Sequence, residues 1–183
     1  MPETPHPLAR ELATRLIGRP PGRRRTLLVG LGNGRNVPPL VEARAELTVA
    51  TGGYEEVPLL GGGFDAALST HAYLHGTSEA VSNALRSLAE RLVPGAPCYL
   101  TLGSAADPRF GCGRRLDAQS WAANDGPEAG VAHAYFDLEQ ARIALAPFAS
   151  AEIVEGWASA GAWAHGPLEI ERTVHWFVRA VAR

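Results

Sequence analysis

Apolar positions along this chain follow two periods, and the places where one gives way to the other mark the elements. From residue 7 to 17, Leu8, Leu12, Leu16 and Ile17 fall on one helical face, and Gly18 ends the run. Pro20-Pro21-Gly22 follows as a linker, so residues 1–22 read as an N-terminal helix and its connection. Thr26 to Val29 is a short continuous run, the signature of a buried strand. Helical spacing returns over 37–44, with Val37, Leu40 and Val41 inward, and gives way to a strand over 46–51. Residues 52–63 are glycine-rich and irregular, and 64–69 read as a third strand. Thr77 and Ser78 are N-cap residues for a helix over 79–92, whose stripe is Val81, Leu85, Leu88 and Leu92. Pro94-Gly95 stops it before a fourth strand over 97–102. Asp137 with Gln140 forms a capping-box pattern for a helix to about residue 146. Strands over 151–155 and 171–182 close the chain, with a loop over 156–167 between them.

Strands alternating with helices predict an α/β fold, Rossmann-like, with a mostly parallel sheet and helices on both faces. The last two strands are separated by a loop too short for a helical crossover, so they should pair as an antiparallel hairpin. The expectation is about six strands in a single domain over 1–183. Residues 103–136 lack periodic apolar positions and read as a lid over the substrate side.

Composition narrows the partners. The chain is 46% apolar and 20% charged with a net charge of −2, a globular balance that argues against a general nucleic-acid binder. Arg23-Arg24-Arg25 is the one basic cluster and reads as a solvated approach to the first strand. No apolar run approaches the ~20 residues a bilayer requires, and no membrane partner is expected. The N-terminus lacks a signal-peptide pattern, and the two cysteines form neither a disulfide framework nor a zinc-ligand set. These features predict a cytoplasmic protein.

The chemistry starts at TLLVGLGNGRNVPP, residues 26–39. A strand that breaks into Gly30, Gly32 and Gly34 before a helix puts bare backbone at the carboxyl edge of a parallel sheet, where α/β folds take nucleotide-like ligands. His71 ends the third strand beside that edge, either lining a pocket or hydrogen-bonded in the structure. His71 and His75 are four apart but lack a third ligand at useful spacing, so no metal is expected. His133 reads either as a general base or as a residue that fixes the long segment. Trp121, Trp157 and Trp163 either wall a substrate or pack a lid. Asp65 reads as a loop cap.

Several stretches in order resemble the class I S-adenosylmethionine-dependent methyltransferases, and more narrowly a bacterial branch acting on small molecules. Gly30-Leu31-Gly32-Asn33-Gly34-Arg35-Asn36 is similar to that branch's GCGTGRN loop. Residues 64–71, FDAALSTH, with His75-Gly76-Thr77 after them, resemble its fourth-strand motif. Leu92-Val93-Pro94-Gly95 resembles its turn before strand five, and residues 127–137, PEAGVAHAYFD, resemble a substrate-side segment. Trp163-Ala164-His165 and Val174-His175-Trp176-Phe177 resemble its closing hairpin. The resemblance implies methyl transfer from S-adenosylmethionine to a small molecule. It implies donor contacts at Gly30, Gly32, Gly34, Asn36, Ser69 and Thr70, and proton transfer by His133, with His71 next. Arg109, Trp121, Glu128, Trp163 and His165 would form the substrate side.

The sequence departs from the family in one region. Leu28, Thr51 and Gly53 stand where the family carries acids, and Glu55 and Glu56 are the nearby substitutes. One strand and one helix fewer than usual fit between residues 44 and 64. Either residues 46–51 are strand two and strand three is lost, or they are strand three and strand two is lost, which the Glu56-Val57-Pro58-Leu59 segment favours. In the second case this strand should lie beside the first, leaving a sheet edge through which a homodimer could form. The functional alternative is a protein of the same fold that no longer binds S-adenosylmethionine and serves in binding or in a non-methylating reaction.

Overall fold

The computed structural model describes residues 4–159 and 172–183. Trp163 and His165, two of the expected substrate-side residues, lie outside the described residues. Helix α1 (Pro7–Ile17) starts at His6, whose Nδ1 accepts from Leu8 N at 3.2 Å. Strand β1 (Arg25–Val29) leads into α2 (Val37–Glu42) and β2 (Glu46–Ala50). After a 3₁₀ segment (Tyr54–Leu59), β3 (Ala66–Ser69) runs to a second 3₁₀ turn (Ala72–Leu74) and α3 (Ser78–Arg91). Strand β4 (Pro97–Ser104) precedes three short strands: β5 (Arg114–Arg115), β6 (Ser120–Ala122) and β7 (Ala132–Phe136). Helix α4 (Leu138–Ala144) carries the full capping box between Asp137 and Gln140. Strands β8 (Ser150–Ser159) and β9 (Arg172–Val181) pair antiparallel over their whole length.

The sheet runs β2-β1-β3-β4-β9-β8, parallel through β4 and antiparallel at the closing hairpin. Strand β2 lies directly beside β1, in register from Arg25 with Glu46 to Val29 with Ala50. No further strand pairs with the outer edge of β2 among the described residues. The alternation of side chains divides the core into two layers. Leu27 and Val29 pack with Val81, Leu85 and Leu88 of α3 on one face. Leu28 and Leu68 pack with Leu8, Leu12 and Leu16 of α1 and with Leu40 of α2 on the other. Ile17 and Val41 depart from the expected stripes. They are 61% and 57% exposed, because each sits in the last turn or two of a short helix where the chain leaves the sheet.

Residues 103–136 contain more order than expected, which raises the strand count from about six to nine among the described residues. Strand β4 continues beyond the end of β3, whose last partner is Leu100, and the exposed edge is taken by β7 at Gly103 and Ser104. Strands β6 and β5 then add antiparallel to β7, forming a small sheet above the carboxyl ends of β1 and β3.

Of the three arginines at residues 23–25, Arg23 is exposed, whereas Arg24 and Arg25 are anchored. Arg24 donates to the carbonyls of Ile17, Arg19 and Ala43, tying the ends of α1 and α2 to β1. Arg25 donates to Gly63 O and lies over Phe64, and its backbone N donates to Asp65 Oδ2 at 3.1 Å. The carbonyls at a helix end need such donors, so the cluster is explained within the fold. No helix among the described residues is long and apolar enough to cross a membrane.

Candidate functional site

A cavity of about 420 Å³ opens at the carboxyl ends of β1, β2 and β3. The glycine loop after β1 forms its floor, and Thr51 to Glu55, after β2, form one wall. Residues 70–72, with Leu74 and His75, form the facing wall after β3. Arg109, Glu128, His133 and His175 close the remaining side. This is the crevice at which open α/β sheets bind ligands, and its volume lies within the range of small-molecule sites.

Gly30, Gly32 and Gly34 have φ of 80°, 53° and 79°, a region side chains rarely enter. A Cβ on Gly30 would meet the Ala72 methyl at 3.1 Å, so that glycine also lets β3's loop approach. A Cβ on Gly32 or Gly34 would meet no protein atom within 4 Å. The loop therefore leaves bare backbone against open space.

Asn36, Ser69 and Thr70 build this floor more than they face it. Asn36 is buried, and its Oδ1 accepts from His6 N at 3.0 Å while its Nδ2 donates to Thr70 Oγ1 at 2.9 Å. Ser69 is buried with its hydroxyl donating to Val29 O at 3.0 Å, and it is not on the cavity wall. Thr70 is on the wall, and its carbonyl accepts from Thr101 Oγ1.

Three histidines gather at the base of the cavity: His6 and His175, both buried, and His71, half-buried, with His71 and His175 on its wall. The rings of His71 and His175 meet edge to face at 5.8 Å. Burial, the nearby Arg35 charge and the neighbouring His175 lower His6 to about 3. Burial, His175 and then Arg35 lower His71 to about 2, and burial with the Arg109 charge lowers His175 to about 4. All three are neutral imidazoles at neutral pH. A base whose proton affinity is so reduced transfers protons poorly, so His71 suits hydrogen bonding better than the acid/base work expected of it.

Polar groups of the small sheet and of β4 converge on the opposite side. Asp107 is buried; Arg109 Nε donates to its Oδ1 at 2.8 Å and Nη2 to its Oδ2 at 3.1 Å. Val174 N also donates to Oδ2, at 2.7 Å. Burial by itself would raise the Asp107 carboxyl; the Arg109 contacts and the backbone donors outweigh it and hold the group below its ordinary value. Glu128 lies between two imidazoles, with Oε2 3.2 Å from His133 Nε2 and Oε1 3.5 Å from His75 Nε2. Hydrogen bonding to His133 and then to His75 holds its carboxyl well below the usual range. His133 pairs with Trp121 across the ladder, and Trp121 packs on Phe110 at 4.5 Å and beneath Arg115. Trp121 thus sits in an aromatic cluster with Tyr135 and off the cavity wall.

At the end of β2, Tyr54 stacks on Tyr73 at 5.5 Å and lines the cavity without filling it. Glu56 turns away to accept from Gly52 N at 2.9 Å, whereas Glu55 is exposed and on the cavity wall. The structure thus brings together the glycine loop, Thr70, His71, Arg109, Glu128 and His133. It adds His75, His175 and Asp107, which sequence reasoning had not placed at the site. The spacing of His71 and His75 was a signal for His75; Asp107 had none.

The chain has the fold of the class I S-adenosylmethionine-dependent methyltransferases. It is similar to the Burkholderia thailandensis 1,6-didemethyltoxoflavin-N1-methyltransferase with bound 1,6-didemethyltoxoflavin and S-adenosylhomocysteine: 16% identity over 96% of this chain and 77% of that one, TM-score 0.57. It is similar to the magnesium protoporphyrin IX methyltransferase of Synechocystis with bound S-adenosylhomocysteine, at 14% identity over 96% of this chain and 82% of that one, TM-score 0.57. TehB of Haemophilus influenzae gives a TM-score of 0.62 at 14% identity, over 97% of this chain and 62% of that one. No protein-family model matches the sequence, and no curated protein matches it.

Proposed function

We propose that this protein is an S-adenosylmethionine-dependent methyltransferase acting on a small molecule. The observation that carries the reading is the open cavity lined by the positive-φ glycines Gly30 and Gly32, at the crevice of a sheet whose similar structures include methyltransferases with S-adenosylhomocysteine bound. The residues fit such a ligand. A Cβ on Gly32, which lines the cavity, would meet no protein atom within 4 Å, as a backbone-lined cradle requires, whereas Gly34 lies off the wall. Glu55 is the acid on the β2 wall available to ribose hydroxyls, in place of the acids absent at Thr51 and Gly53. When bound, the donor supplies an electrophilic methyl group on a sulfonium.

The chain's own residues have three tasks. The glycine loop and the Thr51–Glu55 wall hold the donor; Arg109, fixed by Asp107, and Glu128 orient the acceptor; and His133 takes the acceptor's proton. Positioning two reactants in one site supplies most of what such a displacement needs. A second reading, a binding protein of the same fold, is favoured by one observation: Thr51 and Gly53 lie on the cavity wall with no acid at either position.

The test is incubation with methyl-tritiated S-adenosylmethionine and pools of small hydroxyl-, amine- and thiol-bearing compounds. Label should pass to an acceptor in at least one pool with matching S-adenosylhomocysteine, and Gly32→Val should stop it. Absence of transfer in every pool would favour the second reading.

A further inference from the structure

His75, Glu128 and His133 converge on one another at the cavity wall. His133 Nδ1 lies 3.1 Å from the carbonyl of Val131 and must donate to it. In the neutral imidazole this leaves Nε2 as a bare lone pair. That lone pair points at Glu128 Oε2, 3.2 Å away, and the other carboxylate oxygen is 3.5 Å from His75 Nε2. A lone pair facing a carboxylate is repulsive, and either a second proton on the ring or a cation between the two groups relieves it.

The same atoms have the form of a cation site. One ligand atom from each of the three residues can be chosen so that all lie within 4.8 Å of one another. A tetrahedral ion with bonds of 2.0–2.1 Å has ligand-to-ligand edges of about 3.3 Å, and each imidazole nitrogen lies at about that distance from one of the two Glu128 oxygens, Oε2 for His133 and Oε1 for His75. The imidazoles stand at 87°, with centroids 4.9 Å apart, so both can aim a nitrogen at one point. The backbone holds them there. His75 and His133 form an antiparallel bridge, and Gly76 N donates to Ala132 O at 2.7 Å. The Glu128 loop is closed by Gly130 N on Ala123 O at 2.8 Å and Val131 N on Glu128 O at 3.0 Å. The Val131 carbonyl on His133 is the outer partner that metal-bound histidines ordinarily have. Arg109 does not oppose a cation nearby, because its charge is matched by the bidentate Asp107.

We propose that His75 Nε2, His133 Nε2 and the Glu128 carboxylate bind one divalent transition-metal ion of the zinc and cobalt class. All three residues line the cavity, and the side chains of His75 and Glu128 are 45% and 39% exposed. The ion's remaining positions therefore face the cavity and suit an ionisable oxygen or thiol of a small molecule. The ion site stands without the methyltransferase reading; the assignment of its open positions to the methyl acceptor rests on it. With the ion bound, His133 is a ligand and takes no proton, and holding the acceptor ionised falls to the metal.

The test uses the full chain, free of affinity tags and stripped with chelator. Cobalt(II) added to it should give visible ligand-field bands saturating at one ion per chain, and zinc(II) calorimetry should give the same stoichiometry with a dissociation constant of micromolar or below. Glu128→Gln and His75→Ala, both at half-exposed positions that leave the core intact, should each weaken binding at least tenfold. Absence of cobalt bands and zinc heat at millimolar ion overturns the proposal, as does binding that persists unchanged in both variants. S-adenosylhomocysteine titrated into the metal-free protein separates the two claims. Donor binding without metal binding overturns only the ion site, and metal binding without donor binding overturns only the donor reading.

Discussion

The neutral histidines under the cavity make stability depend on pH in a defined window. His6, His71 and His175 are lowered from an ordinary 6.5 to about 3, 2 and 4. In each case the folded state holds the group neutral while the unfolded chain takes up a proton below 6.5. Their contribution is therefore complete above pH 6.5 and is lost as pH falls toward the folded values. At pH 5.5, one unit below the unfolded value and above all three folded ones, each group costs about 1 to 2 kcal/mol. The three together remove roughly 4 kcal/mol, a large part of the 5–15 kcal/mol typical of a domain. With a urea slope of about 2 kcal/mol per molar, the unfolding midpoint should fall by about 2 M between pH 7.5 and 5.5. Glu128 and Asp107, lowered from ordinary values of 4.5 and 3.8, add their loss only at lower pH. His175→Gln removes one titrating group and should cut the shift by about a third. A midpoint unchanged between pH 7.5 and 5.5 would show that these rings are solvated or partnered as cations, contrary to their burial.

Gly76→Ala tests how the cavity wall is packed. The glycine has φ 97°, and a Cβ there would lie 2.1 Å from Tyr54 Oη, so about 2–4 kcal/mol of stability should be lost in urea unfolding. Tyr54→Phe in the same chain should restore roughly half of that, and no recovery would place the conflict elsewhere. Asp107→Asn leaves Arg109 without a charge partner in a buried setting and should cost about 3 kcal/mol; a loss below ~1 kcal/mol would show the pair to be effectively solvated. Glu55→Ala should weaken S-adenosylhomocysteine binding about tenfold, the value of a hydrogen bond to a charged group. An unchanged affinity by calorimetry would remove Glu55 from the ribose.

The parts of the fold legible in the sequence are those with long local patterns. The α1 and α3 stripes and the last strand each repeat a signal over many residues, and the Asp137–Gln140 box is a specific local one; β8 was legible only over 151–155, and residues 156–159, read as loop, continue the strand because they pair with β9. The position of β2 beside β1 followed from crossover handedness. Strands β5, β6 and β7 were not legible, because two to five residues carry no period and their pairing depends on β4 outrunning β3. The floor glycines were legible from spacing. The roles of Asn36 and Ser69 were not, since only the fold shows that Asn36 is occupied by His6 and Thr70 and Ser69 by Val29. His75, Glu128 and His133 come from separate segments joined by a strand bridge, a meeting that sequence separation conceals.

The central claim is that the cavity over Gly30 to Gly34 is a donor site, and calorimetric titration with S-adenosylhomocysteine tests it most directly. The account predicts one molecule per chain with micromolar affinity, lost in Gly32→Val while that variant keeps its fold by circular dichroism. No heat and no thermal stabilisation at millimolar S-adenosylhomocysteine would contradict it.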